Sequence, residues 1–271
     1  MYALRNAAHA LGTVLAVFLP EAYGQAAGAV DVALVLAVDV SLSMSPGELD
    51  IQRQGYAAAL TDDKVLRAIA DGINGRVAVT YFEWAGATTQ RVIVPWTVIA
   101  NRTDAEAVAE KLSAMPHGSA RRTSISGALE FGADLFAEIP FRALKRVIDI
   151  SGDGPNNQGV LVTEMRDRVA AQGITINGLP LMTSGGMSSI YDVSQLDKYY
   201  ADCVIGGLGA FVVPVNDWSQ FPEAIRRKLV LELAGEMPMP PVIKVQYTPP
   251  YDCLAGEKLW QRRGWTFDGS R

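Results

Sequence analysis

The chain has 271 residues, 49% of them hydrophobic, which suits one α/β domain with a sizeable core. Its net charge of −5 argues against sequence-independent nucleic-acid binding, and no basic run marks a membrane-surface patch. Beyond the N-terminal segment only His117 remains among the histidines, and Cys203 and Cys253 are far apart, which argues against a zinc site.

In chain order, Arg5 precedes the apolar stretch Ala10–Leu19, and the small residues Gly24 and Ala26 follow. This pattern predicts a secretory signal peptide over 1–26, cleaved after Ala26 and too short to span a bilayer. The expected destination is periplasmic or secreted, with no transmembrane span in the mature chain. A domain is expected over 27–235 and a C-terminal tail over 236–271. The apolar run Val32–Val38 reads as a buried parallel strand. Ser45-Pro46-Gly47-Glu48 opens a helix with Ser45 as N-cap. That helix extends over 46–70, with a break at Thr61-Asp62-Asp63 and a stop at Asp71–Gly75.

Val77–Trp84 and Gln90–Trp96 read as strands joined by so short a loop that they must be antiparallel, and Pro95 marks the second as an edge. Thr103-Asp104-Ala105-Glu106 reads as a capping box for a helix to about Ala114. A further helix follows Thr123 and ends near Ile139-Pro140. Next come a strand over 145–150, a helix over 158–172 stopped by Gly173, and a strand over 174–179. The last elements are a short helix over 193–202, a strand over 211–215 and a helix over 222–234. The sum is an α/β fold: a doubly wound, mostly parallel six-stranded sheet with one antiparallel edge strand and helices on both faces.

The chemistry concentrates in three loops. Asp39-Val40-Ser41-Leu42-Ser43 follows the first strand and places one carboxylate and two hydroxyls where open α/β sheets bind ligands. These are hard oxygen donors, suited to Mg²⁺ rather than to zinc or copper. Gly118–Leu129 places a hydroxyl residue, Thr123, where a loop turns into a helix, and Val147–Asn157 runs a strand into the turn Gly152-Asp153-Gly154.

In this order, the three loops resemble the metal-ion-dependent adhesion site of von Willebrand factor type A domains. The resemblance covers roughly Asp31 to Ala234 and extends to a bacterial family of exported type A proteins of unknown function. It implies a ligand set of Asp39, Ser41, Ser43, Thr123 and Asp153 around Mg²⁺, with Mn²⁺ or Ca²⁺ as alternatives. It also implies one open position, filled by an exposed Asp or Glu of a protein partner.

By the switch-point rule, Trp84, His117, Arg121, Arg122, Asn156, Asn157 and Met187 are expected on the same face as a binding surface. Export makes a Cys203–Cys253 disulfide the expected pairing, with two buried or unpaired thiols as the alternative. The competing function is a metal-dependent hydrolase at the same site. Against it, only two carboxylates, Asp39 and Asp153, are expected around the ion, both accounted for as charge balance. A serine hydrolase using His117 as base is disfavoured because no Gly-x-Ser-x-Gly elbow occurs.

Overall fold

A computed structural model of the protein describes residues 27–116, 118–182, 193, 195–234 and 250–268. β1 (Ala27–Asp39) is central because both of its faces are apolar. Val32, Leu34, Leu36 and Val38 face one core, and Ala33, Val35 and Ala37 face another. Complete burial of Leu34 or Leu36 stabilises the fold by about 1.5–3 kcal/mol each. β1 pairs in parallel with β2 (Val77–Trp84) and with β4 (Phe141–Gly152). β5 (Ile174–Pro180) adds in parallel to β4, and β3 (Gln90–Ile99) runs antiparallel to β2, giving the order β3-β2-β1-β4-β5.

Helices cover both faces. The first core is closed by α1 (Pro46–Leu60), α2 (Asp63–Ala70), α3 (Arg102–Ala114) and α7 (Phe221–Leu233). The second is closed by α4 (Ile125–Leu135), α5 (Val162–Ala170) and α6 (Leu196–Tyr199), which runs on into a π-turn, Tyr200–Val204. A last helix, α8 (Ala255–Asp268), lies in the stretch read from sequence as a tail.

The expected doubly wound sheet with one antiparallel edge is present, but among the described residues it has five strands and not six. The segment expected as the sixth, Phe211–Val215, does run beside β5. Gly178 N donates to Phe211 O, Val213 N to Gly178 O, Val215 N to Pro180 O and Met182 N to Val215 O. The ladder is broken at its middle because Pro180 has no N–H to offer. Only isolated bridges therefore form, at Gly178–Val212 and Leu181–Val215. Pro95 acts similarly at the opposite edge, where the β2–β3 register shifts between Val79 and Tyr81.

The α1 capping box is present: Ser45 N donates to Glu48 Oε2 (2.7 Å) and Glu48 N to Ser45 Oγ (3.3 Å). The break at Thr61 is also present, with Asp62 capping α2. The expected Thr103–Glu106 box is not the start of α3. Asn101 is the N-cap, accepting from Asp104 N (3.1 Å), while Asp104 Oδ2 accepts from Ala100 N (2.9 Å). The helix therefore starts earlier than expected, with a side-chain cap from Asn101 and with Asp104 holding the residue before that cap.

Candidate metal centre

Asp39 ends β1 fully buried, and its Oδ1 accepts from Ser41 N at 2.7 Å. That bond turns the chain so that Ser41 Oγ lies 2.9 Å from Ser43 Oγ. Ser43 Oγ in turn donates to Asp153 Oδ1 at 2.9 Å, although 110 residues separate them in sequence. Four of the five expected ligand residues are thus brought together.

The fifth, Thr123, is tied through its backbone to Asn157 of the third loop. Its N–H donates to Asn157 Oδ1 (3.0 Å), and its carbonyl accepts from Asn157 N (2.8 Å). The second loop is also laced to the first, by Leu42 N to Ala120 O and Ala120 N to Val40 O. Ser124 then caps α4, accepting from Gly127 N at 3.1 Å.

A buried ion pair fixes the start of the second loop. Glu83, near the end of β2, accepts from Arg53 of α1 at 2.9 and 2.5 Å and from Arg91 of β3 at 2.9 Å. Arg53 also donates to the carbonyls of Leu112, Met115 and Pro116. These bonds satisfy the guanidinium that burial has stripped of water, and removing Glu83 would leave the buried Arg53 without its counter-charge. The end of α3 and the start of the second loop are thereby pinned to the sheet.

The electrostatics are strained around Asp39. Burial, and next the charge of Asp153, push its carboxyl well above the usual range; bonds from Ser41 and the Asp153 backbone offset this only in part. Its Oδ2 is buried without a hydrogen-bond partner. A Cβ at Gly152 would fall 2.9 Å from that oxygen and 2.9 Å from the Tyr200 hydroxyl, so Asp39 and Tyr200 meet above this glycine. The donors gathered here are carboxylate and hydroxyl oxygens. Among the described residues, no group of three or more His, Cys, Asp or Glu side chains is placed to hold a metal.

The expected binding surface is redistributed. Trp84 is fully buried in the second core and presents no face to a partner. Every residue of β2 is buried, so its last one is enclosed as well. Asn156 is also buried. Its Oδ1 accepts from Ser126 N (3.0 Å), its Nδ2 donates to Val160 O (3.2 Å) and to Glu257 Oε1 (2.9 Å), and its N–H donates to the Tyr199 hydroxyl (3.1 Å).

Arg122 has its guanidinium 3.5 Å from the centroid of the Trp260 ring. Arg121 is exposed and Asn157 half-buried. His117 and Met187 lie outside the described residues. Exposed apolar side chains on these loops come instead from Leu42, Val160 and Leu161. Sequence reasoning did not single out Glu83, Arg53, Tyr200 or Glu257, and it placed Trp260 only in a tail packed on the domain or on a partner. Their roles depend on long-range pairing, which no local spacing announces.

The profile of the family described as "Protein of unknown function (DUF1194)" matches residues 29–237. Among curated proteins, none matches. Three solved structures show the fold to be that of a von Willebrand factor type A domain. One is proximal thread matrix protein 1 from the mussel byssus, described with a zinc-occupied MIDAS motif: TM-score 0.52, 16% identity, 76% of this chain and 48% of that one. The second is a von Willebrand factor type A protein from Catenulispora acidiphila: TM-score 0.52, 14% identity, 76% and 43%. The third is the pilus adhesin SpaC from Lactobacillus rhamnosus GG: TM-score 0.54, 12% identity, 75% and 31%. The match spans less than half the length of each of these proteins.

Proposed function

The chain belongs to the DUF1194 family of proteins of unknown function, and from that membership and its loop geometry we propose that it is an exported binding protein that docks a protein partner through a divalent cation. The observation that carries this reading is the convergence of Asp39 and Asp153, with Asp39 Oδ2 buried and unpartnered. A cation beside these two carboxylates would relieve both the desolvation of Asp39 and its repulsion from Asp153. Asp39 and Asp153 would balance its charge, and the hydroxyls of Ser41, Ser43 and Thr123 would supply neutral ligands. Hard oxygen donors favour Mg²⁺, with Mn²⁺ or Ca²⁺ as substitutes. The mussel protein's motif is occupied by zinc, so zinc is the informative competitor. When bound, the cation supplies an electrophilic position for an Asp or Glu of the partner.

The loops around this position carry Leu42, Val160 and Leu161 as exposed apolar side chains and Arg121 as an exposed cation. They fit a partner surface that sets an acidic residue among apolar ones. One of the similar structures is a pilus adhesin, and a binding role suits a site built on two carboxylates better than hydrolysis does. Export through a signal peptide over 1–26, ahead of a domain over 27–235, is supported by the disulfide between Cys203 and Cys253. No helix among the described residues is long and apolar enough to cross a membrane.

Asp39→Ala tests the reading. Titration calorimetry should show Mg²⁺ binding in the wild type and none in the variant, with an unchanged far-UV circular dichroism spectrum. Capture of a partner from periplasmic extract should require Mg²⁺ and fail in chelator. Equal Mg²⁺ affinity in both proteins would sink the site assignment.

A further inference from the structure

The C-terminal segment returns to the candidate site and grips two of its three loops. Cys203, buried in the π-turn after α6, is joined to Cys253, two residues before α8, with their Cα atoms 5.5 Å apart. Tyr251 N donates to Asp202 Oδ2 (2.8 Å), and its ring meets that of Tyr199 edge-on, with centroids 5.8 Å apart. Beyond this anchor, Gly256 packs so closely on the Asn156 carbonyl oxygen that a Cβ would overlap it. Glu257 takes a hydrogen bond from the Asn156 side chain, and Trp260 stacks under Arg122.

Both gripped residues adjoin expected ligands. Asn156 lies three positions after Asp153, and Arg122 immediately precedes Thr123. Arg122 holds a φ of +80°, which a non-glycine residue keeps only where its surroundings over-determine it. The guanidinium–indole stack is one such hold. Asn157 and Thr123 bond each other directly, so the two grips act on one connected unit.

We infer that α8, latched by the Cys203–Cys253 disulfide, is a strap that keeps the second and third loops of the site in register, and that opening the latch weakens the site's hold on its cation. The affinity half rests on the metal reading above; the ordering half does not. The latch is chemically reachable because Cys253 is only half-buried. A dithiol opens it by attack of one thiolate on the Cys253 sulfur, which releases the Cys203 thiolate. The second thiol of the reagent then closes a cyclic disulfide and releases Cys253. Two electrons and two protons pass from the dithiol to the two cysteines.

Hydrogen exchange on the full chain, oxidised and then treated with dithiothreitol, tests the ordering. The amides of Thr123, Asn156 and Asn157 should exchange at least about tenfold faster after reduction, while those of β1 and β4 stay unchanged. Gly256→Val, which keeps the disulfide but lifts the helix from Asn156, should reproduce the effect. Trp260→Ala should speed exchange at Thr123 more than at Asn156. Mg²⁺ and Mn²⁺ affinities by calorimetry should fall about tenfold on reduction, as outer-shell losses do. Unchanged loop exchange in both the reduced protein and Gly256→Val overturns the strap. A wild type that binds neither cation overturns the metal reading and the affinity half, while exchange still decides the ordering half.

Discussion

Gly152 has no room for a methyl group. The Asp39 carboxylate and the Tyr200 hydroxyl both press on the space a Cβ would need, and neither is the loose end of a long exposed chain. Gly152→Ala should therefore destabilise the domain by about 1–3 kcal/mol, as overpacking of a filled interior does. Urea denaturation would show it as a lower midpoint at constant slope, and a variant as stable as the wild type would contradict the crowding. At this scale the sequence was informative where the chemistry is local. Asp39, Ser41 and Ser43 are spaced within one loop, and the loop's own hydrogen bonds assemble them. It was uninformative where a side chain's fate depends on distant elements. Asn156 and Trp84 sit at the right end of the right strands, yet one is consumed by loop bonds and the other by the core.

Most helices and strands were legible because periodicity, caps and breakers are short-range signals. The failures have short-range causes too, but ones that act between elements. Pro180 interrupts the ladder that Phe211–Val215 would complete, and only the pairing partner reveals this. Hidden likewise was the seating of α7 on β4, where Lys228 meets Asp149 (2.8 Å) and Glu232 (2.5 Å), all fully buried, and Asn177 donates to Glu232 (2.8 Å). Burial, aided by the charge of Glu232 and opposed by Lys228, pushes the Asp149 carboxyl up to about 7. In an unfolded chain it would titrate near its ordinary value of about 4. Between these values the folded state keeps a proton that the unfolded chain has released. Stability must then fall as pH rises through this window and level off above it. The loss should be on the order of 2–4 kcal/mol between pH 5 and pH 8, measured by denaturation in chelator. Asp39 pulls in the same direction, so the diagnostic comparison is with Asp149→Asn, which should flatten the profile by Asp149's share alone. Parallel profiles for the two proteins would mean that Asp149 is ionised throughout.

At the scale of the whole molecule, a mostly parallel sheet with one antiparallel edge followed from chain order, whereas the seat of the C-terminal segment did not. Pairing the cysteines was an inference from compartment, and what the pairing encloses could only be seen in the fold. The Cys203–Cys253 link closes a loop with a sequence separation of 50 residues. Within that loop lie Phe211–Val215 and all of α7, the helix whose Lys228 and Glu232 reach the buried Asp149. Without the link, the unfolded chain regains the freedom of that loop, which chain-entropy arguments value at about 4 kcal/mol. Native adjustments usually leave the measured effect smaller, so Cys203→Ala/Cys253→Ala should lower unfolding free energy by about 2–4 kcal/mol. The denaturant slope should rise as well, because an unlinked unfolded chain exposes more surface. Urea titration of the double variant reads both quantities at once. A lower midpoint with an unchanged slope would place the effect in the folded state, and equal stability would mean that the bond only ties down a segment already fixed by Gly256, Glu257 and Trp260.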